Sequence, residues 1–334
     1  MFDVITIGGA TRDIIFITEQ GRILKTPQDP TCQEMLAFEH GAKIKSKEIY
    51  FTLGGGAANL AIGLARLGLE VAACLNLGQD TDGLSIWGNL EKEKVNTALI
   101  SQRGSLRTAF SFIVIDEKSK EHIIFAYPGV NDNLKIERKK ERLGETSWIY
   151  LTSLSGQWPD VLSDLGQVVK KNKIKLAFNP GGAQIKKGRP GLEKILKLTT
   201  LLVLNKDEAI ELVMSGAKKN IQKTPELIKK ILTWGPEIVV VTEGAKGATV
   251  GQKKNIYQAS ARPGKRVDTI GAGDAFGSGF LSGLIKNKGE VKQALKYAIC
   301  NSSQVTKYYG AQEGLLKKKE IKKMINQVKV KIIK

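Results

Sequence analysis

The sequence predicts an α/β fold of three layers, in which helices cover both faces of a mostly parallel central sheet and a small β-sheet forms a lid. Short apolar runs that end in glycine, such as "DVITIGG", "VAACLNLG", "KLAFNPGG" and "EIVVVTEG", are typical of buried strands. They alternate with amphipathic helical stretches such as "NLAIGLARLG", "VLSDLGQVVKKN" and "TPELIKKILTWG". This alternation indicates a parallel sheet that is covered on both faces.

Two segments interrupt the alternation and predict the lid. The first contains two prolines between short extended pieces, and the second has two β-rich runs around a charged turn, the pattern of a β-hairpin. We assign these segments, residues 18–51 and 108–127, to the lid. The α/β/α domain then comprises residues 1–17, 52–107 and 128–334. Its lysine-rich C-terminal segment is expected to be helical.

The charge of the chain bears on its partners. Its 334 residues carry a formal net charge of +19, and only ten of the 52 basic residues are arginine. Because proteins that read nucleic acids favour arginine for base edges, we interpret the excess as solvated lysine faces and expect no specific nucleic-acid partner. The charge should still attract anionic substrates such as nucleotides.

Several classes of protein are disfavoured by what the sequence lacks. The three cysteines and two histidines have neither disulfide, metal-ligand nor triad spacing, so zinc and Ser-His-Asp chemistry are poorly supported. No apolar run approaches the roughly 18 residues of a membrane span. The first residues, "MFDVITIGG", have an acid where a signal peptide would be basic. We therefore expect a cytoplasmic protein without a membrane partner.

The stretch "VDTIGAGDAFGSGF" predicts an anion site at the start of a helix. The first turn of a helix has unpaired N–H groups and the positive end of the helix dipole, and glycines let these groups face a phosphate. Asp274 follows this loop, where an acid is placed to take a proton from an attacking hydroxyl. The alternative is that Asp274 is an ordinary N-cap. The later glycines predict that something packs closely against the helix, since each costs about 1 kcal/mol relative to alanine.

This stretch resembles the C-terminal signature of the ribokinase-like (PfkB) family of sugar and nucleoside kinases. Other segments resemble further motifs of that family, in the same order. They are "LGGGAANLAIGLARLG", "LNLGQDTDG", "LNKDE" and "VVVTEGAKGA". Several ordered motifs are far more specific than one glycine loop. The resemblance extends from about Phe2 to Leu315 and implies the ribokinase-like fold with its lid.

The resemblance implies roles for the residues on the donor side. Asp274 would be the general base, and the N–H groups of Gly271, Ala272 and Gly273 would form the anion hole for the transferred γ-phosphoryl group. ATP would be the co-substrate. Asn205 and Glu208 would organise Mg²⁺ and its water shell, since hard cations prefer oxygen ligands. The other residues implied for the nucleotide site are Thr242, Gly244, Gly247 and Asn301.

On the acceptor side, the resemblance implies that a sugar is held by Asp13, Gly54, Gly55, Asn59 and Asn131. The glycines are equally consistent with a tight strand-to-helix turn. A monovalent cation, K⁺, is implied at Asp268, Ile270 and Gly310. The chain departs from ribokinases in two places, because Ser153 and Ser155 stand in place of a substrate-binding glutamate and Gly56 in place of a lysine.

These observations predict an ATP-dependent carbohydrate kinase that phosphorylates a hydroxymethyl group of a sugar. A nucleoside kinase of the same family is one alternative. A non-catalytic binding or regulatory protein that retains the fold is another, and the intact Asp274 and anion loop argue against it. The resemblance also implies a possible homodimer through the lid.

Overall fold

The computed structural model describes residues 1–25, 34–118, 122–215, 221–264 and 266–333. Its strands, numbered along the chain, are β1 Phe2–Ile7, β2 Thr11–Thr18, β3 Arg22–Lys25, β4 Glu34–Ala37, β5 Glu48–Gly54, β6 Val71–Cys74, β7 Asn76–Gly78, β8 Ser101–Arg103, β9 Phe110–Asp116, β10 His122–Tyr127, β11 Thr146–Leu151, β12 Lys175–Phe178, β13 Thr199–Asn205, β14 Ile238–Thr242, β15 Ala248–Gln252, β16 Asn255–Ala259 and β17 Lys331–Ile333. Its α-helices are α1 Gly56–Arg66, α2 Thr81–Lys92, α3 Lys140–Leu143, α4 Trp158–Asn172, α5 Gly182–Ile185, α6 Gly188–Leu196, α7 Lys206–Met214, α8 Thr224–Leu232, α9 Ala272–Lys286, α10 Val291–Val305 and α11 Lys318–Met324.

The larger sheet carries the predicted layered architecture. Within the described residues its strand order is β17-β16-β15-β14-β13-β12-β11-β1-β6. The pairs from β14 to β6 are parallel, and β15, β16 and β17 continue the sheet in antiparallel pairs at one edge. Val4 packs into the core on one face with α1, α9 and α10, while Ile5 and Ile7 pack on the other with α4, α7 and α8. The predicted three-layer α/β/α fold is therefore confirmed.

The smaller sheet is formed by four of the described strands, in the order β10-β9-β2-β5. The predicted hairpin is confirmed, because β9 and β10 pair antiparallel. The sheet also contains β2, whose residues 11–17 the sequence analysis placed in the main domain. Strand β2 pairs with β9 and β5 because its alternating isoleucines supply a buried face to that sheet. The small sheet thus begins seven residues earlier than the predicted boundary.

The small sheet has an inner and an outer face. On the inner face Ile15, Ile17, Ile113 and Ile115 pack with Ile270 and Tyr309, which lie beside the loop before α9. On the outer face the rings of Phe16, Phe112 and Phe125 follow one another across three strands, with centroids 5.6 and 6.4 Å apart. The inner face therefore joins the lid to the main domain, and the outer face is apolar and partly exposed.

Interior glycines allow α9 to pack closely against its neighbours. A Cβ on Gly283 would lie 2.7 Å from Ala294 Cα of α10, and one on Gly279 would lie 2.9 Å from Ala298 Cα. On another side of α9, a Cβ on Gly277 would lie 2.4 Å from the hydroxyl of the buried Tyr150. The prediction that something approaches this helix closely is confirmed, and the neighbours are α10 and β11.

The C-terminal segment differs from its predicted helix. Helix α11 ends at Met324, and Lys331–Ile333 form β17, which pairs with β16 at the edge of the large sheet. Among the described residues, no helix combines the length and the apolar character needed to cross a bilayer. Cys32 lies outside the described residues, while Cys74 and Cys300 are buried free thiols.

Candidate active site

The site is organised around the first turn of α9. Gly271 precedes this helix with a left-handed φ of +73°, and a Cβ there would lie 2.5 Å from Ala311 Cα. Only glycine fits such a position without strain. The N–H of Ala272, one of the three predicted anion-hole amides, donates to the Thr269 carbonyl at 3.2 Å. Gly273 faces open space, so its backbone is accessible to a ligand.

Asp274 is on the first turn of α9 and is not its N-cap, which is Gly271. The carboxylate is partly buried and accepts a hydrogen bond from Asn59 Nδ2 at 2.8 Å. Burial, with a smaller effect from the negative charge of Asp13, raises the pKa of Asp274 to about 6, and the hydrogen bond from Asn59 acts against this rise. A carboxylate with a pKa just below neutrality is ionised at pH 7 and remains basic enough to accept a proton.

Asp13 on β2 approaches the site from the lid. Its side chain is 5% exposed, and its Oδ1 has no hydrogen-bond partner within the described part of the chain. Burial raises the pKa of Asp13, against hydrogen bonds from Thr11 and Ser111. A buried acceptor without a partner costs free energy unless a ligand satisfies it. Asp13 thus has the geometry of a group that accepts a hydrogen bond from a bound hydroxyl.

The glycines before α1 make room for these groups. A Cβ on Gly54 would lie 1.9 Å from Asp13 Oδ2, and one on Gly55, whose φ is +90°, would lie 2.4 Å from Ala10 Cα. Gly54 therefore allows Asp13 to approach the backbone, and Gly55 forms the tight strand-to-helix turn. The interpretation of this cluster as a tight strand-to-helix turn is confirmed, and its contact with a sugar stays a prediction.

Asn59 and Asn131 lie beside this turn but make different contacts. Asn59 is 3% exposed and connects α1 to Asp274. Asn131 is held by the backbone of Ala10, whose carbonyl accepts from Nδ2 at 3.1 Å and whose N–H donates to Oδ1 at 3.4 Å. Asn131 therefore fixes the β1–β2 connection, and its side chain is already paired.

A cavity adjoins the start of α9. It is lined by the predicted Thr242, Gly244 and Gly247, and also by Ala272 and Gly273 of the anion loop. Pro263, Phe276 and Ile299 supply apolar surface, while the cationic side chains are Arg262, Arg266 and Lys307. Apolar walls with cations beside a helix N-terminus suit a base and its phosphates.

Asn205 and Glu208 form a reciprocal capping box at the start of α7. The Glu208 N–H donates to Asn205 Oδ1 and the Asn205 N–H donates to Glu208 Oε2, both at 2.8 Å. Asn205 pairs in register with Thr242, which places the box beside the donor cavity without lining it. Burial raises the pKa of Glu208, against the hydrogen bond from Asn205. The Oε1 atom takes no part in the box, so one carboxylate oxygen remains available to a hydrated cation.

Asn301 does not line the donor cavity, contrary to its predicted position. It is fully buried between α9 and α10, where Nδ2 donates to the Ala275 carbonyl at 2.8 Å and Oδ1 accepts from the Leu316 N–H at 2.9 Å. With donor and acceptor both paired inside the protein, Asn301 connects the two helices to the C-terminal loop. The cavity-lining residues of α10 are its neighbours Ser302 and Ser303.

Asp268, Ile270 and Gly310 lie together, as the resemblance implies. The Asp268 carboxylate accepts from the Ile270 N–H at 2.9 Å and from the Gly310 N–H at 3.1 Å. These bonds connect the loop before α9 to the loop after α10. In the described part of the chain, no group of three or more His, Cys, Asp or Glu side chains has the geometry of a metal cage.

Sequence reasoning missed several residues of the site. Arg262, Arg266 and Lys307 line the donor cavity, and the basic character of residues 262–266, directly before the glycine loop, was a signal that pointed to it. Tyr150 lies beneath α9, and its pKa is raised by burial and by the charge of Asp274. Gln312 contacts Asn59, and no spacing or motif in the sequence indicates that contact.

Known proteins resemble this chain in sequence. A family model described as pfkB family carbohydrate kinase matches residues 28–318. An uncharacterized sugar kinase of Archaeoglobus fulgidus is 32% identical over 263 residues, which cover 76% of this chain and 98% of that protein. A ribokinase of Haemophilus influenzae is 26% identical over 286 residues, covering 84% of this chain and 89% of that protein.

Solved structures show the same fold. The ribokinase of Thermotoga maritima superposes with a TM-score of 0.78 at 21% identity, covering 98% of this chain and 100% of that one. The nucleoside kinase of Methanocaldococcus jannaschii superposes with a TM-score of 0.74 at 20% identity, covering 98% and 99% of the two chains. The ribokinase-like architecture predicted from the motifs is confirmed.

Proposed function

The chain belongs to the pfkB family of carbohydrate kinases, and from this premise we propose that it transfers the γ-phosphoryl group of ATP to a hydroxymethyl group of a sugar. The observation that carries the proposal is the setting of Asp274. The side chain is on the first turn of a glycine-led helix, is held by Asn59, and has a pKa raised to about 6. Gly273, the residue before Asp274, lines the donor cavity. On the acceptor side, the negative charge of Asp13 acts on Asp274.

The proposed step is an in-line displacement. Asp274 takes the proton of the acceptor hydroxyl as that oxygen attacks the γ-phosphorus, and the bond to the bridging oxygen breaks to leave ADP. The backbone N–H groups of Gly271 and Gly273 stabilise the charge on the transferred group, and that of Ala272 would join them on release from the Thr269 carbonyl. Phosphoryl transfer depends mainly on positioning and electrostatic stabilisation, which a rigid helix N-terminus supplies.

The donor cavity supports ATP as the second substrate. Thr242, Gly244 and Gly247 line it, and Arg266 and Lys307 supply positive charge. Apolar contacts from Phe276 and Ile299 would hold the base. Use of ATP is consistent with a cytoplasmic location, which we propose together with this activity.

Mg²⁺ fits the residues beside the donor cavity. Magnesium keeps several waters and binds through one or two carboxylates together with substrate phosphates. A single partly buried carboxylate, Glu208, with Asn205 beside it, meets that requirement. When bound, the cation would neutralise charge on the nucleotide phosphates.

We also propose that a monovalent cation, K⁺, binds between Asp268, Ile270 and Gly310. The N–H groups of Ile270 and Gly310 both donate to the Asp268 carboxylate. A cation bound beside these residues would therefore stabilise the loop that carries the anion hole. Replacing KCl by NaCl in the assay tests this, and equal activity in both salts would contradict it.

The acceptor is proposed to be a sugar, held through Asp13. Asp13 Oδ1 is a buried acceptor in need of a hydroxyl donor. Ser153 and Ser155 stand in place of the glutamate expected for ribokinases, and Gly56 in place of the lysine, so a nucleoside acceptor remains the alternative within the family. A non-catalytic role finds no support in a site that retains the candidate base, anion loop and donor cavity.

The outer face of the lid sheet supports a homodimer. Phe51 and Phe125 are each 58% exposed there, and Tyr127 is 48% exposed. The register places Phe125 beside Phe112, and Phe112 beside Ile14 of the next strand. A contiguous exposed apolar patch on a sheet face is unusual on a monomer. We therefore propose that this outer face packs against a second copy of the chain.

The activity is tested by following ADP release with ATP and Mg²⁺ over a panel of pentoses, hexoses, sugar acids and nucleosides. Turnover on one acceptor, reduced about 100-fold or more by Asp274→Asn, is the expected result. An inert wild-type protein that still binds ATP would contradict the proposed function. Equal turnover by the two proteins would contradict the role of Asp274.

A further inference from the structure

Three side-chain amides form a hydrogen-bonded chain that ends on Asp274. Asn89 Nδ2 of α2 donates to Gln312 Oε1 at 2.9 Å, and Gln312 Nε2 donates to Asn59 Oδ1 at 2.9 Å. Asn59 Nδ2 then donates to Asp274 Oδ2 at 2.8 Å. Gln312 and Asn59 are 8% and 3% exposed, so water does not compete freely for these groups.

The direction of this chain follows from the chemistry of its last member. An ionised carboxylate only accepts hydrogen bonds, so Asn59 must turn its NH₂ group toward Asp274. The Asn59 carbonyl oxygen then faces Gln312, so Gln312 must donate a hydrogen bond from its own NH₂ group. Hydrogen bonds aligned in one direction polarise one another, so each amide strengthens the next donor along the chain.

Gln312 is anchored independently of its side chain. Its backbone carbonyl accepts from Arg66 Nη1 at 2.8 Å. The Arg66 guanidinium is held by two hydrogen bonds to Glu93, both 2.8 Å long, and this pairing lowers the pKa of Glu93. Planar pairs of this kind fix orientation as well as position. The amide of Gln312 is therefore presented to Asn59 from a rigid support.

We propose that Gln312 is a positioning residue for the catalytic base, because it fixes the side-chain amide of Asn59 with its NH₂ group facing Asp274. This role deepens the proposed kinase function and rests on it. Without Gln312, the Asn59 amide keeps only its hydrogen bond to Asp274, and no hydrogen bond on its other side holds it against rotation away from the carboxylate. Asp274 then loses its one side-chain donor among the contacts described here.

The consequence for proton transfer has a definite sign. The groups that face Asp274 are Asn59 from α1, Asp13 from β2 and Tyr150 from β11. Of these only Asn59 favours the ionised carboxylate; Asp13 opposes it. Loss of a donor to the charged form raises a carboxyl pKa. The fraction of enzyme with an ionised base therefore falls, and it falls most near pH 6.

The test compares Gln312→Met, which keeps the side-chain length, with the control Gln167→Met on the exposed face of α4. If the pKa of Asp274 rises from about 6 to about 7, kcat/KM falls about fivefold at pH 6 and changes little at pH 8. A general loss of structure would lower kcat/KM equally at both values. The control variant is expected to match wild type at both.

A direct titration separates this proposal from the kinase assignment. The pKa of the Asp274 carboxyl, followed by ¹³C NMR, is expected to rise by about half a pH unit or more in Gln312→Met. In an Asn59→Ala background, Gln312→Met should cause no further rise, since non-additivity is the mark of a shared pathway. If Gln312→Met does not fold, Asn89→Leu removes the outer donor of the chain and should raise the pKa in the same direction.

The outcomes are distinguishable. An inert wild type together with a raised pKa in Gln312→Met would overturn the kinase function and leave the positioning contact. An active wild type together with an unchanged Asp274 pKa, or with equal losses at pH 6 and pH 8, would overturn the role of Gln312 alone.

Discussion

Replacing Asp274 by asparagine should make the free protein more stable while abolishing its activity. Burial raises the pKa of this carboxyl from its usual 3.8 to about 6, so ionisation is less favourable in the folded protein than in the unfolded chain. The difference corresponds to about 3 kcal/mol of folding free energy at neutral pH, as an upper estimate for a partly buried group. Asparagine is isosteric, carries no charge to desolvate, and can still accept from Asn59.

The pH dependence gives the sharper form of this prediction. Between pH 3.8 and 6 the folded protein binds more protons at Asp274 than the unfolded chain, so wild-type stability falls as pH rises through this window. The variant lacks that contribution. We expect the stability of Asp274→Asn relative to wild type to increase by about 2 to 3 kcal/mol between pH 4 and pH 7. Urea denaturation at a series of pH values measures it.

Asp80 provides a control of opposite sign. Although burial works against it, hydrogen bonds from Thr108 and from the Gly83 N–H lower the pKa of Asp80. Asp80→Asn should therefore lose stability at neutral pH, and the gap to wild type should close as the pH falls. A stability difference between Asp274→Asn and wild type that stays constant with pH would refute the reasoning about Asp274, because only a perturbed titration produces that slope.

Four further substitutions test helix packing, the donor site and the lid interface. Gly283→Ala places a Cβ 2.7 Å from Ala294 Cα and should destabilise the protein by about 1 to 3 kcal/mol in urea denaturation. Gly88→Ala on α2, where a Cβ meets nothing within 4 Å, should stabilise it by up to about 1 kcal/mol, and the reverse order would contradict the close packing. Arg266→Ala should raise the KM for ATP by about tenfold in steady-state kinetics, and an unchanged KM would remove Arg266 from the donor site. Phe125→Lys should convert a dimer to a folded monomer in analytical ultracentrifugation, and a wild type that is monomeric at micromolar concentration would contradict the lid interface.

The layered fold was predictable because its signals are local. Apolar runs ending in glycine identified β1, β12 and β14, and the stretch "VDTIGAGDAFGSGF" identified the start of α9. Periodicity of this kind reflects burial on one face or both, and burial is decided by each segment's own side chains. The boundary of the lid was less predictable, because β2 shows the same alternation whether it joins one sheet or the other.

The candidate site was predictable only where residues stand close in sequence. The loop of Gly271 to Asp274 and the capping box of Asn205 and Glu208 both appear in the sequence as short motifs, with their residues at fixed separations. Asn301 was misplaced because a buried asparagine that connects two helices and one that faces a nucleotide look alike in sequence. The two kinds of asparagine differ in the atoms that surround the side-chain amide, and the sequence does not show which atoms these are.

The alternation of strands and helices, the glycines of the anion loop and the acid that follows them are evident from the sequence, since each depends on neighbours within a few positions. Which groups surround that acid depends on tertiary packing. Asn59 is 215 residues from Asp274 along the chain, and Gln312 is 253 residues from Asn59. Hydrogen bonds over such separations leave no periodic pattern, because they depend on how α1, α9 and the C-terminal loop pack together. The pKa of Asp274 follows from that packing.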